Sequence, residues 1–280
     1  MGESNAKRRS HAAILEKAKG CIYCAEKSPA TQIDHMPPRS MFRMQQRPKG
    51  LEFPSCAACN QGTSRLDVVA TFMARTYPGI DNEADSAEWD KVLKEVTRVA
   101  PKIVKEMWMP EPEMRTLMQA HDIYGEKLAA FRADGPVLSA HMQAYAAKIG
   151  FALHYEYHQV SVPESGRVQV RWFTSHEVVS GHLPDSLTQN IGPVDYLRQG
   201  KITSEFTFEY GHGKFEGRPE IDLYYAKVRD SFVAASFVVC NDEHLPFMDG
   251  DLATFSPGDL KEEPYDRITN GPSIHAPDLE

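Results

Sequence analysis

The pattern of apolar and polar positions changes along the chain and predicts different secondary structure in each part. Near the N-terminus, short alternating stretches at TQID and LEFPS predict two β-strands. After them, apolar residues at Leu66, Val69, Ala70 and Met73 have helical spacing. Residues 11–19 also have helical composition. The predicted local order is helix, strand, loop, strand, helix.

The middle of the chain is predicted to be helical. Apolar residues from Trp89 to Val104 recur on one stripe, and Pro101 is expected to kink or split that helix. Residues 137–158 are apolar nearly all round, which is typical of a helix buried by the rest of its domain. From about residue 159 the period becomes two. This predicts an antiparallel sheet of three to five strands with the buried helix packed on it.

The predicted fold class is therefore α+β. We expect an N-terminal unit over residues 1–77 and a second domain over 78–248, with helices within 86–158 and strands within 159–241. Residues 249–280 contain several prolines and many acids, and we expect them to form a mobile tail.

Composition favours a soluble protein. Of the 280 residues, 41% are hydrophobic and 25% are charged, as in ordinary globular domains. No apolar run approaches the roughly 20 residues that cross a bilayer, and the N-terminus lacks the apolar core of a signal peptide. A cytoplasmic protein without membrane contact is expected.

Charge is distributed unevenly. Residues 1–75 carry 12 Lys and Arg against 6 Asp and Glu, a net of +6, whereas the remainder carries 19 against 33, a net of −14. The overall charge of −8 therefore does not argue against a polyanionic partner. Four basic residues of one segment are candidates as a group to bind phosphate groups, although each alone is better explained as solvated surface: Arg39, Arg43, Arg47 and Lys49.

Four of the five cysteines form two Cys-x-x-Cys pairs: Cys21 with Cys24, and Cys56 with Cys59. In a reducing compartment such pairs indicate a metal site rather than disulfides, and four thiolates match tetrahedral Zn²⁺. The alternative is four unrelated buried cysteines. The 31 residues between the pairs exceed the roughly 15–20 usual for such sites, so an insertion is expected there. Cys240 is predicted to be a small buried residue.

The segments CIYC, IDHMPPRS and FPSCAACN together resemble the Cys-bearing branch of the HNH nucleases, the ββα-metal or His-Me finger family. The resemblance covers about residues 18–75. It implies a zinc-stapled ββα-metal (HNH) module that hydrolyses DNA. By position, His35 would be the general base, and Asp34 and Asn60 would bind a catalytic Mg²⁺ or Mn²⁺. The four paired cysteines would hold structural zinc.

Two features depart from the family pattern. The position of the family's middle Asn falls near Leu51, and the helix after Asn60 contains no His. Asp67 is a candidate replacement ligand, directly or through water, although it is also explained as a solvated helix residue. Adjacent strand residues point to opposite faces, so Asp34 and His35 can face one cation only if the strand twists or ends there.

These observations leave several hypotheses. The first is a divalent-metal-dependent HNH-type endonuclease acting on double-stranded DNA. The alternative is a catalytically silent zinc-binding module for nucleic-acid or protein recognition. A third is a scaffold whose role lies in the C-terminal sheet. The C-terminal α+β domain would supply substrate choice, regulation or dimerisation, and a homodimer is left open.

The remaining histidines carry weaker signals. His154 and His158 are four residues apart, the spacing of a metal-binding pair on a helix. Without an HExxH motif or a third ligand in view, a buried or capping role is favoured. His212 is predicted to lie at the tip of a hairpin.

Overall fold

The structure is a computed structural model that describes residues 2–76, 83–120, 131–215, 217–245 and 252–262. Within this part of the chain it shows an N-terminal β-hairpin and helix, then further helices, then a six-stranded antiparallel sheet. The α+β prediction is confirmed. Among these residues no helix combines the length and apolar character needed to cross a membrane.

The N-terminal unit contains two helices and one hairpin: α1 (Gly2–Lys17), β1 (Gln32–His35), β2 (Glu52–Ser55) and α2 (Ala57–Arg75). The strands are antiparallel, with Gln32 opposite Ser55 and His35 opposite Glu52. The predicted order of strand, strand and helix is therefore present. The first helix begins at Gly2, earlier than the 11–19 segment that composition indicated.

Four helices follow: α3 (Glu83–Val99), α4 (Pro101–Met107), α5 (Glu111–Ala120) and α6 (Pro136–His158). Pro101 separates α3 from α4, as predicted, because proline cannot donate the hydrogen bond of a helix interior but fits the first turn. Helix α6 is buried over most of its length. It packs on α2 on one side and on the sheet on the other, so one hydrophobic core joins both units.

The sheet is larger than predicted. Its strand order is β10-β3-β9-β8-β7-β4, built from β3 (Arg167–Thr174), β4 (Ile191–Tyr196), β7 (Glu209–Phe215), β8 (Arg218–Val228), β9 (Phe232–Val239) and β10 (Ala253–Phe255). The connections between these strands contain two short helices, α7 (Ser175–Val179) and α8 (Asp185–Thr188). They also contain a separate two-stranded sheet of β5 (Arg198–Gln199) and β6 (Ile202–Thr203).

Strand β3 ends at Thr174, where the side chains of Thr174 and Glu177 form a capping box that starts α7. Two local predictions require correction. His212 lies inside β7, not at a hairpin tip, and the turn falls beyond Phe215. Cys240 is exposed, because it follows the last residue of β9.

Part of the segment expected to be a mobile tail packs on the fold. Strand β10 pairs with β3, and the amide of Gly258 donates to the carbonyl of Tyr23 at 2.7 Å. A Cβ on Gly62 of α2 would lie 2.2 Å from the carbonyl oxygen of Leu260. Residues 246–251 and 263–280 lie outside the described residues.

This close approach predicts that Gly62→Ala releases residues 252–262 from α2. Alanine favours a helix by about 1 kcal/mol over glycine, but its Cβ cannot coexist with the carbonyl of Leu260. We expect faster hydrogen exchange at Gly258 and easier proteolysis after residue 252. Gln61→Ala, at an exposed position of the same helix, is the control and should leave both unchanged. Unaltered exchange at Gly258 in Gly62→Ala would contradict the packing.

Candidate metal centre

The four paired cysteines meet in one buried cluster. Cys21, Cys24, Cys56 and Cys59 are free thiols, and their sulfur atoms all lie within 4.8 Å of one another. A hydrogen bond from the thiol of Cys59 lowers the pKa of Cys21 to about 5. Tetrahedral Zn–S bonds of about 2.3 Å place sulfurs about 3.8 Å apart, so a small contraction accommodates the ion. The donor set fits a structural Zn²⁺.

Two local turns bring the sulfurs together. Cys21 is the N-cap of a 3₁₀ turn at Ile22–Cys24, so Cys24 is the last residue of that turn, and left-handed backbone follows at Ala25. Cys56 is the N-cap of α2, and its sulfur accepts the amide of Cys59 at 3.4 Å. The cluster therefore ties the segment before β1 to the start of α2.

The Asp-His pair of β1 is divided between two faces of the hairpin. Asp34 points inward and is only 4% exposed. The hydroxyl of Tyr23 donates to its Oδ2 at 2.5 Å, and Nζ of Lys148 donates to its Oδ1 at 3.0 Å. Lys148, fully buried in α6, also donates to both carboxylate oxygens of Asp67 on α2, at 2.8 and 3.0 Å.

Burial and neighbouring charges act in opposite directions on the pKa values of Lys148 and Asp67. Burial opposes the charge of Lys148, but the carboxylates of Asp34 and Asp67 outweigh it and raise the pKa of Lys148 above its ordinary value. Burial raises the pKa of Asp67 to about 6, against the lowering effect of Lys148. The single ammonium group of Lys148 thus interacts with two carboxylates, those of Asp34 and Asp67.

These contacts affect whether Asp34 and Asn60 can bind the catalytic cation that the HNH resemblance implies. Both oxygens of Asp34 are engaged by Lys148 and Tyr23, and Nδ2 of Asn60 donates to Oε1 of Gln32 at 2.6 Å. A cation cannot join Asp34 unless the Lys148 ammonium leaves. These residues therefore do not fit a divalent cation as arranged, and the roles of Asp34, Asn60 and Asp67 as its ligands stay predictions.

His35 lies on the opposite, outer face of the hairpin. Its Nδ1 is 3.5 Å from Oε1 of Glu52, the residue directly across from it on β2. His11 of α1 completes the group, with its Nε2 3.6 Å from Oε2 of Glu52. The side chains of His11, His35 and Glu52 are 25%, 24% and 16% exposed, and their ligand atoms lie within 4.8 Å of one another. We call these three residues the His-Glu cluster.

Sequence reasoning missed two members of the His-Glu cluster. Glu52 follows Leu51, the position at which the family's middle Asn is missing. Pairing the two predicted strands in the register that places residue 35 opposite residue 52 would have identified Glu52. Nothing local in the sequence indicates His11, because α1 reaches the hairpin only through tertiary packing.

The basic segment between β1 and β2 divides into two kinds of residue. Arg39, Arg43 and Lys49 are exposed. Arg47 is partly buried, and burial lowers its pKa to about 10. Its guanidinium donates to main-chain carbonyls of the same segment, those of Met36, Pro37, Pro48, Gly50 and Leu51. Arg47 therefore holds the loop, whereas the three exposed residues face solvent.

Comparisons of the chain with protein-family models, with curated proteins and with solved structures found no match. The resemblance to HNH nucleases therefore rests on the motif residues and on the buried Cys₄ cluster beside the β-hairpin and α2.

The cysteine cluster predicts a specific loss on substitution. Cys59→Ser should lower the zinc content by one ion per chain and remove hydrogen-exchange protection from β1 and β2, because zinc binding of order 10–16 kcal/mol is folding energy in such units. Metal analysis and exchange mass spectrometry measure both. Cys240→Ser, which alters an exposed thiol outside the cluster, is the control. Equal zinc in the two variants would disprove the site.

The buried ion pair predicts that Lys148→Met destabilises the protein by about 3–5 kcal/mol at pH 8, because Asp34 and Asp67 keep buried charges without a counterion. Burial already raises the pKa of Asp67 in the folded wild type to about 6, well above the ordinary range of an aspartate. A raised pKa means that stability is lost as pH rises through it. Without Lys148 this pKa lies higher still, so the variant binds the proton first, and the deficit should shrink as the pH falls from 8 towards 6 and below.

Urea unfolding at pH 5 and pH 8 measures this dependence. The control is Lys27→Met, which removes an exposed ion pair with Glu164 and should cost less than about 1 kcal/mol. A deficit for Lys148→Met that is equal at both pH values would contradict the electrostatic account.

Proposed function

We propose that the N-terminal unit is an HNH-type, divalent-metal-dependent endonuclease that hydrolyses DNA phosphodiester bonds, with His35 as its general base. The observation that carries this proposal is the position of His35. It lies partly exposed on a zinc-site hairpin, with the carboxylate of Glu52 3.5 Å from its Nδ1.

His35 and Glu52 suit the chemistry of this reaction. Histidine is the side chain whose unperturbed pKa lies near neutral pH, so it can accept a proton from water. The carboxylate of Glu52 orients the imidazole and stabilises its protonated form, as the acid does in other histidine-carboxylate pairs. In this proposal the water oxygen bonds to phosphorus and its proton passes to His35. The bond between phosphorus and the leaving oxygen breaks, and that oxygen takes a proton from solvent.

The divalent cation is proposed to bind beside His35, held by His11 and Glu52. Nε2 of His11 and Oε2 of Glu52 lie 3.6 Å apart, and the two side chains are 25% and 16% exposed, whereas Asp34 is engaged by Lys148. An imidazole with a carboxylate favours Mn²⁺ or a later transition metal over Mg²⁺. Such a cation supplies charge stabilisation at the phosphate.

The proposed partner is double-stranded DNA. The exposed residues Arg39, Arg43 and Lys49 lie on the segment that joins the two strands, and residues 1–75 carry a net charge of +6, with 12 basic and 6 acidic residues. Phosphate contacts from these side chains would make binding weaken steeply with salt.

A second candidate is a catalytically silent zinc module that recognises nucleic acid or protein. The Lys148 ammonium favours it, because this group lies between Asp34 and Asp67 and supplies a permanent cation at the inner face. A silent module would bind DNA without cleaving it.

Nicking of supercoiled plasmid distinguishes the two candidates. The wild type with Mn²⁺ should convert supercoiled to open-circular DNA. His35→Ala should lower that rate at least 100-fold, since general-base catalysis contributes roughly 10²–10⁴-fold, and Glu52→Gln should also lower it. His182→Ala, an exposed histidine in the second domain, is the matched control and should nick at the wild-type rate.

Two outcomes would reject the nuclease proposal. In one, His35→Ala nicks as fast as the wild type, which would point to a contaminating nuclease. In the other, the wild type retards DNA in a mobility-shift assay but nicks with none of Mg²⁺, Mn²⁺, Co²⁺, Ni²⁺ and Zn²⁺. That second result would favour the silent module.

A further inference from the structure

A second group of metal-binding side chains lies in the other domain, where the last turns of α6 meet β7 and β8. Its centre is the carboxylate of Asp222. Nε2 of His158 lies 3.1 Å from Oδ2, Nε2 of His212 lies 3.2 Å from Oδ1, and Nδ1 of His154 lies 3.9 Å from Oδ2. Three imidazoles from two elements therefore surround one carboxylate from a third.

The fold explains this convergence. His154 and His158 are one helical turn apart and lie on the same face of α6. In the sheet, His212 is opposite Tyr224 and Lys214 is opposite Asp222, so His212 and Asp222 are diagonal neighbours on one face. That face also carries Tyr224, which belongs to the core shared with α6. Strand β8 thus supplies Asp222, the third ligand that the sequence did not reveal beside His154 and His158.

We propose that His154, His158, His212 and Asp222 bind one divalent cation of the class that prefers imidazole, such as Zn²⁺, and thereby join the C-terminal end of α6 to β7 and β8. Four protein ligands of this kind form the closed donor set of a structural site.

The distances suit such an ion. The ligand atoms of His154, His158 and Asp222 all lie within 4.8 Å of one another. Bonds of about 2.0–2.2 Å in tetrahedral geometry need separations of about 3.3–3.6 Å. His212 lies 3.2 Å from Asp222 but outside this group of three, so its ring has to move to become the fourth ligand. His154 is 2% exposed. Its Nδ1 is the nitrogen nearest Asp222, and it would bind the ion in place of the hydroxyl of Tyr224, which lies 3.2 Å away.

Ion pairs with Asp222 alone explain the convergence of three histidines less well than metal binding does. Asp222 also has the ammonium of Lys214 at 3.3 Å, so the carboxylate has a cationic partner without any of the three imidazoles. Imidazoles bind metal in their neutral form. The side chain of Lys214 is 50% exposed and can move into solvent when a cation occupies the site.

Cobalt titration of the full-length protein tests the proposal. Co²⁺ on the cysteine cluster gives a sulfur-to-metal charge-transfer band, whereas an imidazole-carboxylate site gives only ligand-field bands. We expect His158→Ala and Asp222→Asn to bind one Co²⁺ fewer per chain than His182→Ala, with the charge-transfer band unchanged. Counting the difference between variants removes the contributions of the cysteine and His-Glu clusters.

Equal cobalt stoichiometry in His158→Ala and His182→Ala would overturn the proposal. His158 is one-third exposed, 33% by side-chain area, so its replacement tests the site even if Asp222→Asn does not fold. Loss of the charge-transfer band in His158→Ala would also count against it, because the lost ion would then belong to the cysteine cluster.

Discussion

The buried ammonium group of Lys148 is the interaction on which the two halves of this protein depend. It lies on α6, the helix that packs against the sheet, yet its hydrogen bonds go to Asp34 on the hairpin and Asp67 on α2. A fully buried charge is tolerated only when its partners are in place. The hairpin, α2 and α6 must therefore dock together, and the hydrophobic core that they share is continuous.

Within the dipeptide Asp34-His35, one residue has a structural role and the other has the chemical role that we propose. Asp34 and His35 are consecutive, and strand alternation sends their side chains to opposite faces. Asp34 becomes part of the interior, where Tyr23 and Lys148 hold it. His35 remains near the surface beside Glu52 and His11. The function proposed for this unit consequently depends on the outer face of the hairpin, while its stability depends on the inner face and the cysteine cluster.

Histidine and carboxylate side chains meet again at the far end of α6. There two of the proposed ligands, His154 and Asp222, are buried, while His158 and His212 are partly exposed. The buried pair suits a structural role, whereas all three side chains of the His-Glu cluster are partly exposed, which suits access by a substrate. The position of each cluster in the fold thus accounts for the different roles that we propose for them.

The sequence by itself determined the features that depend on local pattern. The two Cys-x-x-Cys turns, the order of hairpin and helix, the break at Pro101, the buried character of α6 and the opposite directions of Asp34 and His35 all follow from spacing and periodicity. Only the tertiary structure decided which side chains meet. Lys148 reaches Asp34 across 114 positions of the chain, and Asp222 reaches His154 and His158 through the docking of a helix on a sheet. Such contacts depend on strand register and helix packing, which local periodicity does not specify.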